Sequence, residues 1–412
     1  MTRSVRGKRV LLLVPPVTYR ATDFVLAANR LEVDLAIGSN GALPLGRNPV
    51  VPVDPTDLGG SVRRLLSAVG RVDAVVAVDA QMLPLAARLA ADLGLAHNSV
   101  AAVEAAADKA AQRRLWARAG VAQPRFHEVA ADAGEQRFLD AAGDLGFPCI
   151  AKPVSLSGSR GVLRVADEAG VIAAVRQIRS IVAEAGGGAG EPVLLEEYVP
   201  GWELSIDGLL KEGRLAVTAV FDKPDMPDGP TFEETLLVTP SRLPEPTLAG
   251  AIDLARHAAR ALGLRHGPIH AELRIDNRLG NARPVMLELA ARSIGGLCSR
   301  SLRFLDGMSL EMMILLNALG ADVEVAKPPG AAGVFMLPID RRGVLQAVEG
   351  QADALAVAGI TGLSVTIPLG ESVRPLPWGD RYLGFIFAEG RDVLAVEDAL
   401  RAARSVLRVL IA

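Results

Sequence analysis

The hydrophobic pattern changes period along the chain, and the changes mark out elements. Short, nearly continuous apolar runs at residues 10–14, 33–37 and 74–78 alternate with Ala/Leu-rich stretches at 21–31 and 81–93, the second closed by Gly94. A run apolar at every position suits a strand covered on both faces, and its alternation with helices predicts a parallel sheet. A dinucleotide-binding unit of this kind would carry Gly-x-Gly-x-x-Gly after its first strand. Here that place is taken by Pro15-Pro16-Val17-Thr18-Tyr19, which disfavours NAD.

A second unit opens at Asp108-Lys109 with an amphipathic helix that passes Trp116 and Arg118 and stops at Gly120; residues 121–124 then turn the chain into a strand. A helix at 134–145 leads to a strand at 149–153, a Ser/Gly loop at 155–161 and a strand at 162–165. The Gly-rich residues 185–190 connect to a strand at 193–199. Antiparallel strands at 202–208 and 215–221, a helix at 248–262, and strands at 269–275 and 285–289 around a turn at 276–283 follow. From Pro328 a third unit mixes strands (333–337, 364–367, 382–388) with helices (343–349, 393–410). The expected class is α/β: an N-terminal parallel domain over 1–107, a central domain over 108–327 with a lid at about 146–206, and a mixed α+β domain over 328–412.

Composition narrows the function. The 412 residues carry 44 Lys+Arg against 47 Asp+Glu and are half apolar, which excludes disorder as the main state and leaves no electrostatic footprint for a dedicated nucleic-acid binder. Two cysteines, Cys149 and Cys298, cannot staple a chain of this size and fit a reducing cytosol. The apolar run at 10–14 is too short for a signal peptide, and no run approaches the roughly 20 apolar residues that span a bilayer. A cytoplasmic protein without membrane or nucleic-acid partners is expected.

Three constellations could carry chemistry. Lys152-Pro153 precedes the loop Ser155-Leu-Ser-Gly-Ser-Arg-Gly161, whose backbone N–H groups, hydroxyls and Arg160 could cradle phosphate; a plain hairpin turn is the alternative. In Glu196-Glu197-Tyr198-Val199-Pro200-Gly201-Trp202-Glu203, backbone groups at Glu197 and Val199 could read an adenine edge and Glu203 could bond ribose, or the segment is a solvated acidic strand end. Glu272 and Glu288 lie on successive strands and could project from one face as hard ligands for Mg²⁺, with Arg292, Gly295 and Gly296 after them; a mere ion-paired set with Arg274 and Arg292 is the alternative. Glu288, among apolar neighbours, would be costly without a partner. His270, two residues before Glu272, suits a core position as well as a catalytic one; His97, His127, His257 and His266 lack metal-ligand spacing and a Gly-x-Ser-x-Gly elbow is missing, so zinc and a serine nucleophile have no support.

Taken in order, Asp108-Lys109, Lys152-Pro153 with its loop, Glu196-Glu197-Tyr198-Val199 with Glu203, Glu272, and Glu288-Leu-Ala-Ala-Arg292 with Gly295-Gly296 resemble the ATP-grasp superfamily of carboxylate–amine ligases. The length and the stretch 288–300 resemble its L-amino-acid ligase branch. The resemblance implies an ATP-grasp fold behind a Rossmann-like domain, with Lys109 and Lys152 on ATP phosphates. It implies that Ser155, Ser157, Gly158, Ser159, Arg160 and Gly161 form a mobile lid. Glu196, Glu197, Tyr198 and Val199 would lie along adenine, Glu203 on ribose, Glu272 and Glu288 on Mg²⁺ (Mn²⁺ able to substitute), and Arg292 against the reacting phosphoryl group. Where the family often has Asn, Ala290 stands, which leaves open whether one or two metals bind. The expected reaction joins two amino acids with release of ADP and phosphate, in a protein for which a homodimer is an admissible assembly. Arg300 and Arg303, three residues apart, are the expected clamp for a substrate carboxylate, or else solvate the start of a helix at 309–319. A biotin- or purine-pathway-type carboxylase and an inactive nucleotide-binding module are the rival readings.

Overall fold

The computed structural model describes residues 5–16, 18–41, 50–188, 190–225, 229–278, 280, 282–302 and 304–412. The first layer follows the apolar pattern: β1 (Arg9–Val14), α1 (Ala21–Leu31), β2 (Asp34–Ser39), β3 (Val50–Pro52), α2 (Leu58–Val69), β4 (Ala74–Ala77), α3 (Leu83–Asp92) and α4 (Val100–Ala107). Its strands form a parallel sheet in the order β3-β2-β1-β4, with residues 10–14 of β1 fully buried.

The second region begins with α5 (Lys109–Ala119). Asp108 caps it by accepting from the Ala111 N–H, and Gly120 ends it in the left-handed conformation. A small antiparallel sheet, ordered β5-β8-β6-β7, is built from β5 (Phe126–Val129), β6 (Cys149–Pro153), β7 (Leu163–Val165) and β8 (Val193–Glu197), backed by α6 (Glu135–Leu145) and α7 (Glu168–Glu184). The sequence reading leaves α7 out, although Asp167 caps it and its apolar positions 171, 174, 175, 178, 181 and 182 hold helical spacing.

The remaining strands are β9 (Trp202–Lys211), β10 (Arg214–Lys223), β11 (Leu236–Thr239), β12 (Gly267–Asp276) and β13 (Arg283–Ala290), with α8 (Glu245–Ala261) before β12 and α9 (Leu310–Ala318) after β13. Then come β14 (Ala331–Leu337), β15 (Gly343–Glu349), α10 (Gln351–Ala356), β16 (Ile360–Val365), β17 (Ser372–Val373), β18 (Gly384–Gly390), α11 (Val393–Val406) and β19 (Arg408–Ile411). One eight-stranded sheet, β13-β12-β9-β10-β11-β14-β18-β16, runs through residue 328 without a break, because β11 pairs with β14 in antiparallel register.

Two expected helices are corrected by a single pairing. Residues 343–349 are strand, not helix, and the helix expected over 393–410 stops at Val406, where Leu407 turns extended. The β-branched run that follows pairs with β15, Glu349 facing Arg408 and Val348 facing Val409, so each segment supplies the hydrogen bonds that make the other a strand. Cys149 and Cys298 are free and buried. Among the described residues no helix is long and apolar enough to cross a membrane.

Candidate active site

Strand alternation sorts β9, β12 and β13 into an apolar and a polar face. Leu204, Ile206, Ala271, Leu273, Ile275 and Leu289 turn into a core shared with α4 and α8; the residues between them turn the other way. Register then lays out a grid. Glu203 stands between Lys223 and Arg274, Glu272 between Ser205 and Glu288, and His270 between Asp207 and Ala290. Residues directly opposite on antiparallel strands sit close together, so the two carboxylates separated by 16 positions become neighbours. The apolar residues flanking Glu288 do not enclose its carboxylate, which is partly exposed to the cavity and ion-paired to Lys109 Nζ at 3.2 Å.

Charges on this face are matched. Lys223 is buried and ion-pairs Glu203 at 3.1 Å, Glu272 at 3.6 Å and Glu234, and these carboxylates outweigh burial to hold its ammonium well above its usual range. Arg274 bonds Glu203 at 2.8 Å and donates to the Val199 carbonyl at 2.7 Å. His270 stands between Asp207, 3.1 Å from Nδ1, and Glu272, 3.3 Å from Nε2; burial would lower its pKa, yet these carboxylates carry it up to about 9. Oxygens of Glu203, Glu234 and Glu272 come within 4.8 Å of one another, and the ammonium of Lys223 sits among them, so this trio is the seat of a lysine. The pair facing each other across β12 and β13, Glu272 and Glu288, fits a small hard cation better: both are open to the cavity, and neither is locked into a bidentate arginine pair.

The lysines come from elsewhere. Lys152, on β6, is buried and paired with Glu196 at 2.8 Å; Glu196 is in turn bonded by Arg113 of α5 at 2.6 Å. Burial lowers the Lys152 pKa, while Arg113 and Lys152 outweigh burial to hold Glu196 down at about 2. Lys109, the first residue of α5, donates to the Leu156 carbonyl, and its own N–H donates to the Val154 carbonyl at 3.0 Å, tying helix start to loop.

Lys109, Lys152, Glu196, Glu203, Lys223, Glu234, His270, Glu272, Arg274 and Glu288 all line one cavity of about 670 Å³, with Arg113 and Asp207 behind its wall. The Ser/Gly loop contributes Ser157, Gly158 and Ser159; the segment after β8 contributes Glu197, Tyr198 and Val199. Arg292, Gly295 and Gly296 line it too, beside Tyr19, Arg20 and Asp79 from the N-terminal layer and Asp380, Arg381 and Tyr382 from the C-terminal region.

Two family models match the chain: an ATP-grasp domain over residues 145–301 and an L-amino acid ligase C-terminal domain 2 over residues 335–412. Residues 145–301 thus form an ATP-grasp domain, within a chain that has the ATP-grasp fold. Its fold is similar to that of an L-amino acid ligase from Bacillus licheniformis, with a TM-score of 0.80 at 24% identity over 99% of each chain. In sequence it is 35% identical to carnosine synthase 1 of Gallus gallus over 51% of this chain and 24% of that protein. It is 26% identical to alanine–anticapsin ligase of Bacillus subtilis over 57% of this chain and 51% of that one. The chain thus spans about a quarter and about half of these two relatives.

Within the ATP-grasp frame several expected positions move. Glu196, expected along adenine, lines the cavity, but its carboxylate is buried in the ion triad with Arg113 and Lys152. Glu197 points to Arg278 at 2.7 Å, and the ring of Tyr198 lies against the guanidinium groups of Arg164 and Arg274. Glu203 lines the cavity with its carboxylate already bonded on both sides. Ser155 leaves the cavity to bond Glu191 at 2.9 Å, Arg160 points toward Glu184 at 3.8 Å, and the Gly161 N–H donates to the Pro377 carbonyl at 3.0 Å. Arg300 is no clamp in this cavity: it bonds Asp23 at 2.9 Å and lines a separate cavity behind the 292–302 loop. Arg303 lies outside the described residues.

Sequence reasoning missed Lys223, Arg113 and Arg20, and named Arg274 only as an ion-pair alternative for Glu272 and Glu288, whereas it pairs with Glu203. Lys223 continues the period-2 alternation of its strand and could have been found by extending that strand two residues. Arg20 follows Tyr19 in the loop after β1, and nothing local marks it. In the ATP-grasp structure it is buried, donates to the Val78 carbonyl at 3.2 Å and to Ser293 Oγ at 2.5 Å, and so joins the end of β4 to the loop that carries Arg292.

Proposed function

We propose that the chain joins two L-amino acids in an ADP-forming reaction: the carboxylate of one attacks the terminal phosphoryl group of ATP, whose P–O bond to ADP breaks, to give an acyl phosphate, and the amine of the other displaces phosphate from it. The amide C–N bond forms as the C–O bond to phosphate breaks, and the amine loses a proton. The observation that carries this reading is the convergence on one cavity of Lys109, Lys152 and the in-register pair Glu272 and Glu288. ATP-grasp enzymes use ATP with a divalent metal, which supplies the phosphoryl group and neutralises its charge; Mg²⁺ is the ion we assign to Glu272 and Glu288, both hard carboxylate ligands.

Phosphoryl transfer asks a protein for positioning and charge neutralisation more than for proton transfer. Lys109 and Lys152 bind phosphate oxygens, and Glu196 with Arg113 fixes where the Lys152 ammonium stands. The backbone of residues 157–159 closes over the phosphates. Arg292, whose Nη1 donates to the Ser293 carbonyl at 2.9 Å, is oriented to meet charge developing on the transferring group. The experiment is a panel of L-amino acids, singly and in pairs, with bicarbonate as a parallel substrate, followed by nucleotide chromatography. Dipeptide with ADP and phosphate is expected. AMP with pyrophosphate ends the reading, and turnover with bicarbonate but with no amino-acid pair moves the chain to the carboxylases.

A further inference from the structure

Beyond the lysines and the metal-facing carboxylates, the cavity has a wall built from three parts of the chain: Tyr19 and Asp79 from the N-terminal layer, Glu233 and Glu234 from the segment before β11, and Asp380 to Tyr382 from the C-terminal region. Most charges on this wall are paired. Arg20 stands 3.9 Å from Asp79, Arg381 is 2.8 Å from Glu371, and Glu234 is held by Lys223.

Glu233 is different. Among the described residues no cation comes within ion-pair distance of its carboxylate; the Ile339 backbone is its hydrogen-bond neighbour, and Asp340, a charge of the same sign, acts on it. A half-buried carboxylate left without a cation is unfavourable. Burial and Asp340 accordingly push its pKa up to about 7.

Aromatic rings line the same cavity. Tyr382, whose phenol is held well above its usual range by burial and the charges of Glu234 and Glu233, lies 6.3 Å from Phe385, which lies 6.0 Å edge-on from Tyr19. Gly296 packs its backbone against the same ring at a positive φ of 60°: a Cβ there would come within 2.6 Å of Phe385, so the position accepts no side chain. Tyrosine faces attract cations at short range, and more strongly where water is excluded. A carboxylate without a cation, in a cavity wall that also carries two tyrosines, is a receptor for a cation on a long side chain.

We propose that Glu233, with Tyr19 and Tyr382, selects an amino acid bearing a cationic side chain as one of the two substrates. The inference rests on the ligase reading above and adds which side chain the site prefers. Glu233 is a specificity residue: it pairs with the guanidinium or ammonium of the substrate and takes no part in bond making.

The test uses matched pairs that differ in charge and hardly in shape: arginine against citrulline, and lysine against norleucine, each offered with alanine and assayed for dipeptide by mass spectrometry and for ADP. For the wild type, kcat/KM for each cationic member should exceed that of its neutral partner by on the order of tenfold or more, the scale of a partly desolvated ion pair. Glu233→Gln should raise KM for arginine at least tenfold more than KM for citrulline and far more than KM for ATP, while Glu233→Asp retains part of the preference. Tyr382→Leu should weaken arginine more than Tyr382→Phe does. Equal use of arginine and citrulline by the wild type overturns the proposal, as does a parallel rise of both KM values in Glu233→Gln protein whose melt matches the wild type. Dipeptide from neutral pairs alone sinks this inference and leaves the ligase reading standing; no dipeptide from any pair sinks both.

Discussion

Glu288 and Glu272 face each other across one antiparallel pair, and the account assigns them one cation. Glu288→Gln keeps the shape and removes the charge, so kcat should fall by on the order of 10²- to 10³-fold, the effect of losing a major electrostatic contact to a transferring phosphoryl group; Glu272→Gln should be milder, because Lys223 and His270 still order that corner. Steady-state rates at saturating Mg²⁺ check this, with a circular-dichroism melt to establish folding, and near wild-type kcat for Glu288→Gln would place the metal elsewhere. Glu196 acts differently, through Lys152 and Arg113. Its carboxyl sits at about 2 in the folded protein, below the usual carboxylate range, so its stabilising effect is full above about pH 4.5 and is lost as the pH falls toward 2. Breaking such a buried set costs about 3–5 kcal/mol. Urea melts should therefore show Glu196→Gln markedly less stable than wild type at pH 7, with the gap narrowing by pH 3; equal midpoints at pH 7 would contradict the triad.

At the scale of elements, what the sequence could reveal depended on whether local chemistry or partner choice decides the structure. The start of α5 was readable from Asp108 and its end from Gly120, since a side-chain cap and a left-handed glycine are local devices. The pairing of Glu272 with Glu288 was readable as two strands around one turn. The rows that put Lys223 and Arg274 on either side of Glu203 were not, because register across β10, β9 and β12 is set by contacts distant in sequence. The same holds for residues 343–349, which are strand only because β19 lies beside them. Asp108→Ala should cost about 1 kcal/mol and, by loosening the first turn that carries Lys109, raise KM for ATP; a stability loss with unchanged KM would separate the cap from the site. Gly296→Ala meets both a positive φ of 60° and the Phe385 ring, so it should raise KM for an amino acid well above any change in KM for ATP. Equal effects on both would show that the loop moves as one piece.

Across the whole molecule, the cavity is assembled from every region of the chain. The N-terminal layer enters through Arg20, which bonds Ser293, the residue after Arg292; the C-terminal region enters through Asp380 to Tyr382 and through Pro377, which receives the Gly161 N–H of the Ser/Gly loop. The C-terminal region also completes the central sheet, since β14 covers the edge of β11. Deleting residues 329–412 should thus yield aggregated protein and no smaller folded enzyme, because an uncovered apolar edge invites pairing with other chains; a monomeric, cooperatively melting truncation would contradict this. The Ser/Gly loop has few apolar contacts to hold it, so hydrogen exchange at 155–161 should slow when ATP is added, and equal exchange with and without nucleotide would count against its role as lid.

The central claim is that a carboxylate is activated as an acyl phosphate, and one measurement addresses it directly. With ¹⁸O in the carboxylate of the amino acid that is activated, the one that becomes the N-terminal residue of the dipeptide, the account predicts that one ¹⁸O appears in the inorganic phosphate for each dipeptide formed, with ADP unlabelled. Label in AMP, or none in phosphate while dipeptide accumulates, would contradict it.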